Sequence, residues 1–358
     1  MEIFYLKEEN LFNFLDNLKV EYQVLVPVKT ETKPRLCPEK VEVGISDYIL
    51  KDYSALKKED FFFNPYRSLE PVKTYFSPLK ETVSKYFGHT LEREDKPLAI
   101  FGVKNCDLFS LKIQDFVFKE GTVQDPFYIE RRKNNLIITS DCFGFKEVCF
   151  CLAMNILPYP TEGFDLNFSL LNEGFLVEVG SEKAKKLIAL NSHYFKPATI
   201  AQVSIRDKKR ENFISSLKKH LAYHPIPEPQ NIPSLVRKSY GYTLWKEYVL
   251  NCVECGGCNL ICDTCHCFLL SEERFGNVNE RIRTWDACLY ANFAKVAGGA
   301  NPLKFRYQRL RNRYLKKFDF FPQNLGLLAC CGCGRCIEVC PAKIDIREVL
   351  RKLGELGS

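Results

Sequence analysis

Short apolar runs separated by polar segments recur through the first two hundred residues. They contain Val, Ile, Leu and Phe, and they predict buried β-strands at residues 22–28, 98–103, 135–140 and 175–179. Residues 109–118 and 181–190 carry apolar side chains at helical spacing and predict helices between or after these strands. Because strands and helices alternate, residues 1–204 are predicted to form an α/β domain.

A proline-rich joint separates this part from the rest of the chain. Residues 207–223 predict a helix, which cannot continue through the three prolines of residues 224–229. We therefore expect a helical, proline-rich linker at 205–235 and a second domain at 236–358. Residues 286–297 and 305–318 predict helices in that domain. The predicted fold class is α+β, an α/β domain followed by an α-helical domain.

The composition is that of a globular protein. The chain has 358 residues, of which 46% are hydrophobic, and no run of about 18 apolar residues is present, so no membrane span is expected. The N-terminus lacks a basic start followed by an apolar core, so no secretory signal is expected. The spacing of the 17 cysteines favours metal binding over disulfides, which predicts a cytoplasmic, reduced protein.

Two cysteine runs carry the strongest chemical signal. They are Cys252-x2-Cys255-x2-Cys258-x3-Cys262 and Cys330-x2-Cys333-x2-Cys336-x3-Cys340-Pro341. This spacing is typical of [4Fe–4S] clusters, whereas a zinc site would use two C-x2-C pairs. The second domain is therefore predicted to be a two-cluster, ferredoxin-like module.

In two-cluster ferredoxins, the fourth cysteine of each run ligates the other cluster. We accordingly define two ligand sets. The first set is Cys252, Cys255, Cys258 and Cys340, and the second set is Cys330, Cys333, Cys336 and Cys262.

Four more cysteines lie in the first domain and form the N-terminal set, which comprises Cys106, Cys142, Cys149 and Cys151. Cys106 and Cys142 each follow a predicted strand, and the ends of neighbouring parallel strands lie on one edge of a sheet. Two interpretations remain open. The set binds a third [4Fe–4S] cluster, or its members are buried structural cysteines.

Three further cysteines form the trio of Cys265, Cys267 and Cys288. They could bind a further cluster with help from His266 or Cys331. We favour packing around the two predicted clusters, because no clear fourth ligand is supplied.

The formal net charge of +7 overstates the basic character of the chain. A [4Fe–4S]2+ core with four thiolates carries a formal charge of −2, so two clusters lower the net charge to +3 and three lower it to +1. Residues 306–318 interleave basic and aromatic side chains, as nucleic-acid interfaces do. We favour a helix with a solvated basic face that offsets the anionic clusters or docks an acidic partner, and we expect no nucleic-acid partner.

Motifs for other chemistry are missing from the sequence. It contains no G-x-G-x-x-G after a strand, no P-loop, no nickel-binding D-P-C-x2-C and no serine-nucleophile elbow. The chain therefore carries iron–sulfur chemistry and no evident substrate motif, which favours a relay for single electrons over an enzyme. The alternative is a sulfur or disulfide reductase that uses a member of the trio.

The motifs together resemble a known family. They are Cys262-Asp263-Thr264-Cys265-His266-Cys267, Trp285-Asp286-Ala287-Cys288, Cys333-Gly334-Arg335-Cys336 and, in the first domain, Gly102-Val103-Lys104-Asn105-Cys106-Asp107. The chain resembles the β subunits of soluble sulfhydrogenases, and it is equally similar to the iron–sulfur electron-transfer subunit of anaerobic sulfite reductase. Asp263 departs from the family, which usually has proline there.

The resemblance implies an electron-transfer subunit with two partners. One is an FAD/NAD(P)H-binding subunit, and the other is a catalytic subunit, either a [NiFe] hydrogenase or a sirohaem sulfite reductase. It also supports a third cluster, because the segment around Cys106 resembles the cluster-binding turn of coenzyme F420 hydrogenase β subunits.

Overall fold

The computed structural model describes residues 2–30, 47–87 and 96–357. The strands in these residues are β1 (Ile3–Lys7), β2 (Gln23–Thr30), β3 (Asp47–Asp52), β4 (Lys80–Lys85), β5 (Leu98–Val103), β6 (Leu136–Ser140), β7 (Leu166–Leu170), β8 (Gly174–Val179), β9 (Phe195–Pro197), β10 (Phe268–Phe275) and β11 (Val278–Trp285). The α-helices are α1 (Glu8–Leu18), α2 (Asn105–Phe118), α3 (Pro126–Asn134), α4 (Glu182–Leu190), α5 (Ile200–Leu221), α6 (Ile232–Lys238), α7 (Leu244–Tyr248), α8 (Gly257–Leu260), α9 (Arg306–Leu315), α10 (Phe321–Leu325), α11 (Arg335–Glu338) and α12 (Ile346–Gly357). A π-helical segment, Lys316–Phe320, continues α9.

A mixed sheet organises the first half of the described chain. Its strand order is β3-β2-β5-β6-β7-β8-β1-β9. The neighbours β2, β5, β6 and β7 are parallel, and the remaining pairs are antiparallel. The parallel strands β5 and β6 are almost entirely buried, which explains their continuous apolar sequences.

Helices cover both faces of this sheet. On β5, Ala99 and Phe101 point into the core that α1 and α4 share, whereas Ile100 and Val103 pack with α2. The buried positions of α1 are Leu11, Phe14, Leu15 and Leu18. This spacing places one apolar stripe of α1 on the sheet. The four predicted strands form as β2, β5, β6 and β8, and the two predicted helices form as α2 and α4.

A second apolar core is built by the helices and cysteine-run loops of the second half together with Val148, Phe150, Met154 and Ile156 of the first half. Trp245 is fully buried and packs on Tyr314 with ring centroids 5.1 Å apart. The amphipathic helix α12 adds Val349, Leu350 and Leu353 to this core. The predicted helix 207–223 is confirmed as α5, and the chain from Ala222 to Asn231 is not helical, as its prolines require.

A three-stranded sheet joins the two halves. The hairpin β10–β11 pairs with β4 from the first half, in the order β10-β11-β4. The division at 205–235 stays a prediction about domain boundaries, and this strand pairing crosses it.

The α+β fold class is confirmed, but the helix predicted at 286–297 is wrong. Residues 286–297 form successive turns after the hairpin. The backbone N–H of Trp285 donates to the oxygen of Leu79 at 2.9 Å, and that of Asp286 donates to the oxygen of Cys267 at 2.9 Å. These contacts hold the start of the segment against distant parts of the chain, and tertiary structure overrides local helix propensity.

Glu81 on β4 connects the two halves electrostatically. Its carboxylate accepts hydrogen bonds from Arg131 Nη2 at 2.7 Å and from Arg283 Nε at 3.1 Å. Burial acts to raise the pKa of Glu81, but these two arginines together hold it below the usual range.

We expect Glu81→Ala to lower the free energy of unfolding by about 3 kcal/mol, because it removes a carboxylate from two largely buried cations. The matched control is Lys80→Ala on the same strand. It breaks the exposed pair with Glu273 and a contact with the ring of Phe275, and a loss below about 1 kcal/mol is expected. Chemical denaturation under anaerobic conditions, followed by circular dichroism, measures both, and equal losses would contradict this role.

The lowered pKa of Glu81 predicts that the free energy of unfolding depends on pH. A carboxyl with a lowered pKa in the folded state contributes stability at neutral pH, and that contribution is lost as the pH falls through the carboxyl range. The difference in stability between wild type and Glu81→Ala should therefore shrink in acid.

Candidate metal centres

The two cysteine runs fold into loops with the same local geometry. In each run, the residues before and after the second cysteine have positive φ angles. These are Glu254 (58°) and Gly256 (70°) in the first run, and Gly332 (64°) and Gly334 (74°) in the second. A short helix, α8 or α11, follows directly in each case. The alternation turns successive cysteine side chains towards one centre, as a cluster-binding loop requires.

Glycine is required in the second loop by close packing. A Cβ added at Gly334 would lie 2.2 Å from the oxygen of Val148, and one at Gly332 would lie 2.6 Å from Cα of Cys151. The loop therefore presses directly against the segment that carries Cys149 and Cys151.

The first set converges on one cavity. All four of its cysteines line this cavity, including Cys340 from the second run. Its other walls are largely apolar and include Leu289, Leu310 and Ile346. Cys336 of the second set lines the cavity as well, and Cys262 of the first run is not among its lining residues, so the predicted interleaved combination is gathered here together with Cys336. Cys255 is exposed, so this set reaches the protein surface.

The second set lies deeper. Cys262, Cys330 and Cys333 are buried, and the charges of Cys330 and Cys336 both interact with that of Cys262 from the first run. Burial raises the pKa of the Cys330 thiol to about 12. Iron binding would replace the proton of such a thiol.

Lys317 approaches this second set most closely. Its Nζ donates to Sγ of Cys262 at 3.3 Å, to Oγ1 of Thr264 at 2.7 Å and to the oxygen of Ala329 at 3.1 Å. A hydrogen bond from the Cys265 thiol, followed by Lys317, holds the pKa of Cys262 well below its usual range. The ammonium therefore favours negative charge on this sulfur.

The N-terminal set also converges. Cys106 begins α2 after β5, and Cys142 follows β6, its parallel neighbour, as the strand pattern predicted. Electrostatic interactions connect Cys142 with Cys106, Cys149 and Cys151. Burial raises the pKa of Cys142 to about 12, and the nearby Lys104 opposes that rise.

The second and N-terminal sets are neighbours. The charge of Cys333 interacts with those of Cys106 and Cys149. The backbone N–H of Phe150 donates to the oxygen of Gly332 at 2.8 Å, which ties the two loops together. Because Cys336 of the second set also interacts with Cys258 of the first, the three sets follow one another through the protein.

Arg335, in the loop of the second run, forms ion pairs with the segments that carry Cys106 and Cys262. Its Nη1 donates to Asp107, beside Cys106, at 2.5 Å and to Asp263, beside Cys262, at 2.6 Å. Both carboxylates are buried. The aspartate that departs from the family pattern thus has a specific partner, and the sequence carried no signal for this contact.

The predicted solvated basic face on residues 306–318 is wrong for four of its cations. They are buried, and they are Arg309, Arg311, Arg313 and Lys317. Arg309 donates to the oxygen atoms of Leu289 and Leu303, and Arg311 lies over the ring of Tyr240, 3.5 Å from its centroid. Only tertiary contacts reveal that this helix turns its charges inward.

The trio lines a cavity beside the first two sets, together with His266. Burial lowers the pKa of His266 to about 4, so the ring is neutral at physiological pH. Cys331 lies instead beside Cys333 and Cys106. Cys37 falls outside the described residues.

The described residues lack two features that would indicate other functions. No three His, Cys, Asp or Glu side chains among them lie close enough together to hold a single metal ion. None of the helices described is both long and apolar enough to cross a membrane.

Comparisons with known proteins agree with this geometry. A family model described as a 4Fe-4S dicluster domain matches residues 251–344, which include both cysteine runs, so these runs lie in a domain that binds [4Fe–4S] clusters. The chain is 30% identical over 357 residues to sulfhydrogenase 2 subunit beta of Pyrococcus furiosus, covering 98% of each sequence. With that identity along its whole length, the chain belongs to the family of sulfhydrogenase β subunits.

Proposed function

We propose that this chain is the iron–sulfur electron-transfer subunit of a cytoplasmic [NiFe] hydrogenase complex. It would connect an FAD/NAD(P)H-binding subunit to the catalytic subunit. The observation that carries the proposal is the contiguity of the three cysteine sets, with the buried second set between the other two. When bound, [4Fe–4S] clusters exchange single electrons, which is the chemistry that such a subunit needs.

We assign one [4Fe–4S] cluster to each set. The first and second sets supply four thiolates each, with Cys340 and Cys262 exchanged between the runs. The N-terminal set supplies four more for a third cluster. Its support is the convergence of cysteines from two strand ends and one loop, which core packing alone does not require.

Both ends of this series approach the surface. Cys255 of the first set is exposed. At the other end, Cys142 lines an open pocket with Arg206, Lys209 and Arg210. A relay needs one place where electrons enter and another where they leave, and these two regions are suited to separate partner subunits.

The protein's own residues would set the potential of each site. Reduction adds negative charge, so nearby cations and hydrogen-bond donors favour the reduced form. Lys317 acts in this way on the second set, where burial strengthens its effect because water is excluded. Arg313 lies between the first and second sets, and its charge interacts with Cys258 and Cys336.

Native mass spectrometry of the complex that co-purifies anaerobically tests the assignment of partners. We expect the chain to be accompanied by one protein that contains nickel and by another that binds FAD. A sirohaem-binding partner would instead make it the electron-delivering subunit of a sulfite reductase. Sustained sulfide release from polysulfide by the dithionite-reduced chain alone would make it a reductase and contradict a pure relay.

Replacement of Cys149 by serine tests the third cluster. The variant should contain about 4 fewer iron atoms per chain than wild type, because the N-terminal set loses a thiolate. Cys331→Ser is the matched control, since Cys331 is equally buried but belongs to none of the sets. Iron and acid-labile sulfide analysis measures both proteins, and unchanged iron in Cys149→Ser would refute the third cluster.

Replacement of Lys317 by methionine tests the electrostatic role. Loss of one charged hydrogen bond to Cys262 should lower the reduction potential of the second-set cluster by on the order of 60 mV, which corresponds to about 1.4 kcal/mol for one electron. A redox titration followed by electron paramagnetic resonance measures the shift. The control Lys352→Met, on the exposed face of α12, should leave every potential unchanged.

A further inference from the structure

The trio occupies a site of its own. Nδ2 of Asn259 donates both to Sγ of Cys265, at 3.6 Å, and to Sγ of Cys288, at 3.1 Å, so these two sulfur atoms are close neighbours. The charge of Cys267 interacts with that of Cys288. All three side chains line one cavity, although they come from a loop before β10 and a turn after β11.

The surroundings of this cavity are cationic. Arg313, Lys316 and Lys317 all line it. Arg313 is 4% exposed, and within the described part of the chain its Nε has no hydrogen-bond partner. A buried donor is seldom left unsatisfied in a native protein, and because Arg313 also lines the first-set cavity, its open donor indicates an anion in one of these two adjoining sites.

His266 supplies the fourth donor that three cysteines lack. Its Nδ1 lies 3.3 Å from the oxygen of Thr264, an acceptor, so Nδ1 carries the proton and Nε2 keeps its lone pair. Metal-binding histidines commonly donate from the other ring nitrogen to a backbone carbonyl in this way. The ring packs edge-on against Phe321, with centroids 5.5 Å apart, and both residues line the cavity.

We propose that this cavity holds an additional [4Fe–4S] cluster, bound by the thiolates of Cys265, Cys267 and Cys288 and by Nε2 of His266. A single zinc or iron ion fits less well. Its ligands must all lie within roughly 2.0–2.3 Å of one point, and no group of three His, Cys, Asp or Glu side chains in the described residues is placed to hold one metal ion. A multi-iron core holds its ligands farther apart. Three thiolates and a neutral imidazole would give a cluster with a net negative charge, which the cations that line the cavity would stabilise.

The position of this site makes it a branch of the proposed relay, and in that sense the inference rests on the proposed function. Cys288 interacts with Cys258 of the first set, and the Cys265 thiol contacts Cys262 of the second, where iron binding at Cys265 would replace the proton that this thiol donates. Replacing a thiolate ligand by histidine raises the potential of an iron–sulfur cluster. This cluster would therefore retain an electron more readily than its all-cysteine neighbours.

Iron analysis of the anaerobically prepared full-length chain provides the first test. Cys267→Ser and Cys288→Ser should each contain about 4 fewer iron atoms than wild type. Cys331→Ser should keep its iron. Cys267 is only half-buried, so its replacement tests the site even if Cys288→Ser fails to fold. Wild-type iron content in Cys267→Ser would overturn the proposal.

Pulsed electron paramagnetic resonance on protein labelled with 15N-histidine provides the second test. The reduced wild type should show coupling to a histidine nitrogen. His266→Cys should lose that coupling and keep its iron, because a thiolate replaces the imidazole. Absence of the coupling in wild type would overturn the histidine ligand. The comparison does not depend on the N-terminal set, because Cys149→Ser should retain the nitrogen coupling whether or not that set binds iron.

Discussion

One buried guanidinium organises the centre of this protein. Arg335 is 1% exposed, and it donates to the carboxylates of Asp107 and Asp263 and to the backbone oxygens of Ser68 and Glu70. A charge without water is tolerated only when its partners are complete. These partners belong to loops far apart in the sequence. The hydrogen bonds of this one arginine therefore hold the second and N-terminal cysteine sets in their relative positions.

The same constraint explains why so many cations of this chain lie inside it. Thiolate-bound [4Fe–4S] clusters carry negative charge, and burial makes that charge costly unless cations are near. Lys317, Arg313 and Arg67 are all at most 4% exposed, and each interacts electrostatically with a cysteine of the second set. Part of the basic composition is thus an internal counter-charge, and the basic helix α9 is not the solvated surface that its sequence suggests.

The predictable part of the site follows from local rules. The spacing within each run predicts a loop that can surround a cluster. The backbone forms this loop with positive φ angles at Gly256 and Gly334. The meeting of Cys106 and Cys142 followed from a general property of parallel sheets, in which neighbouring strands end on one edge. The hairpin β10–β11 was not predicted, although its two-residue turn Gly276-Asn277 is a local signal, and only the pairing of β11 with β4, almost two hundred residues earlier, depends on tertiary structure.

The sequence by itself determined the family, the α+β class, the buried strands and the cysteine runs, because periodicity, proline positions and ligand spacing act over short stretches of chain. Tertiary structure decided the rest. It placed Asp263 opposite Arg335, turned Lys317 towards Cys262, and brought Cys265 and Cys288 together at Asn259. These contacts join residues that no periodic pattern relates, and their strength comes from burial, which exists only once the chain has folded.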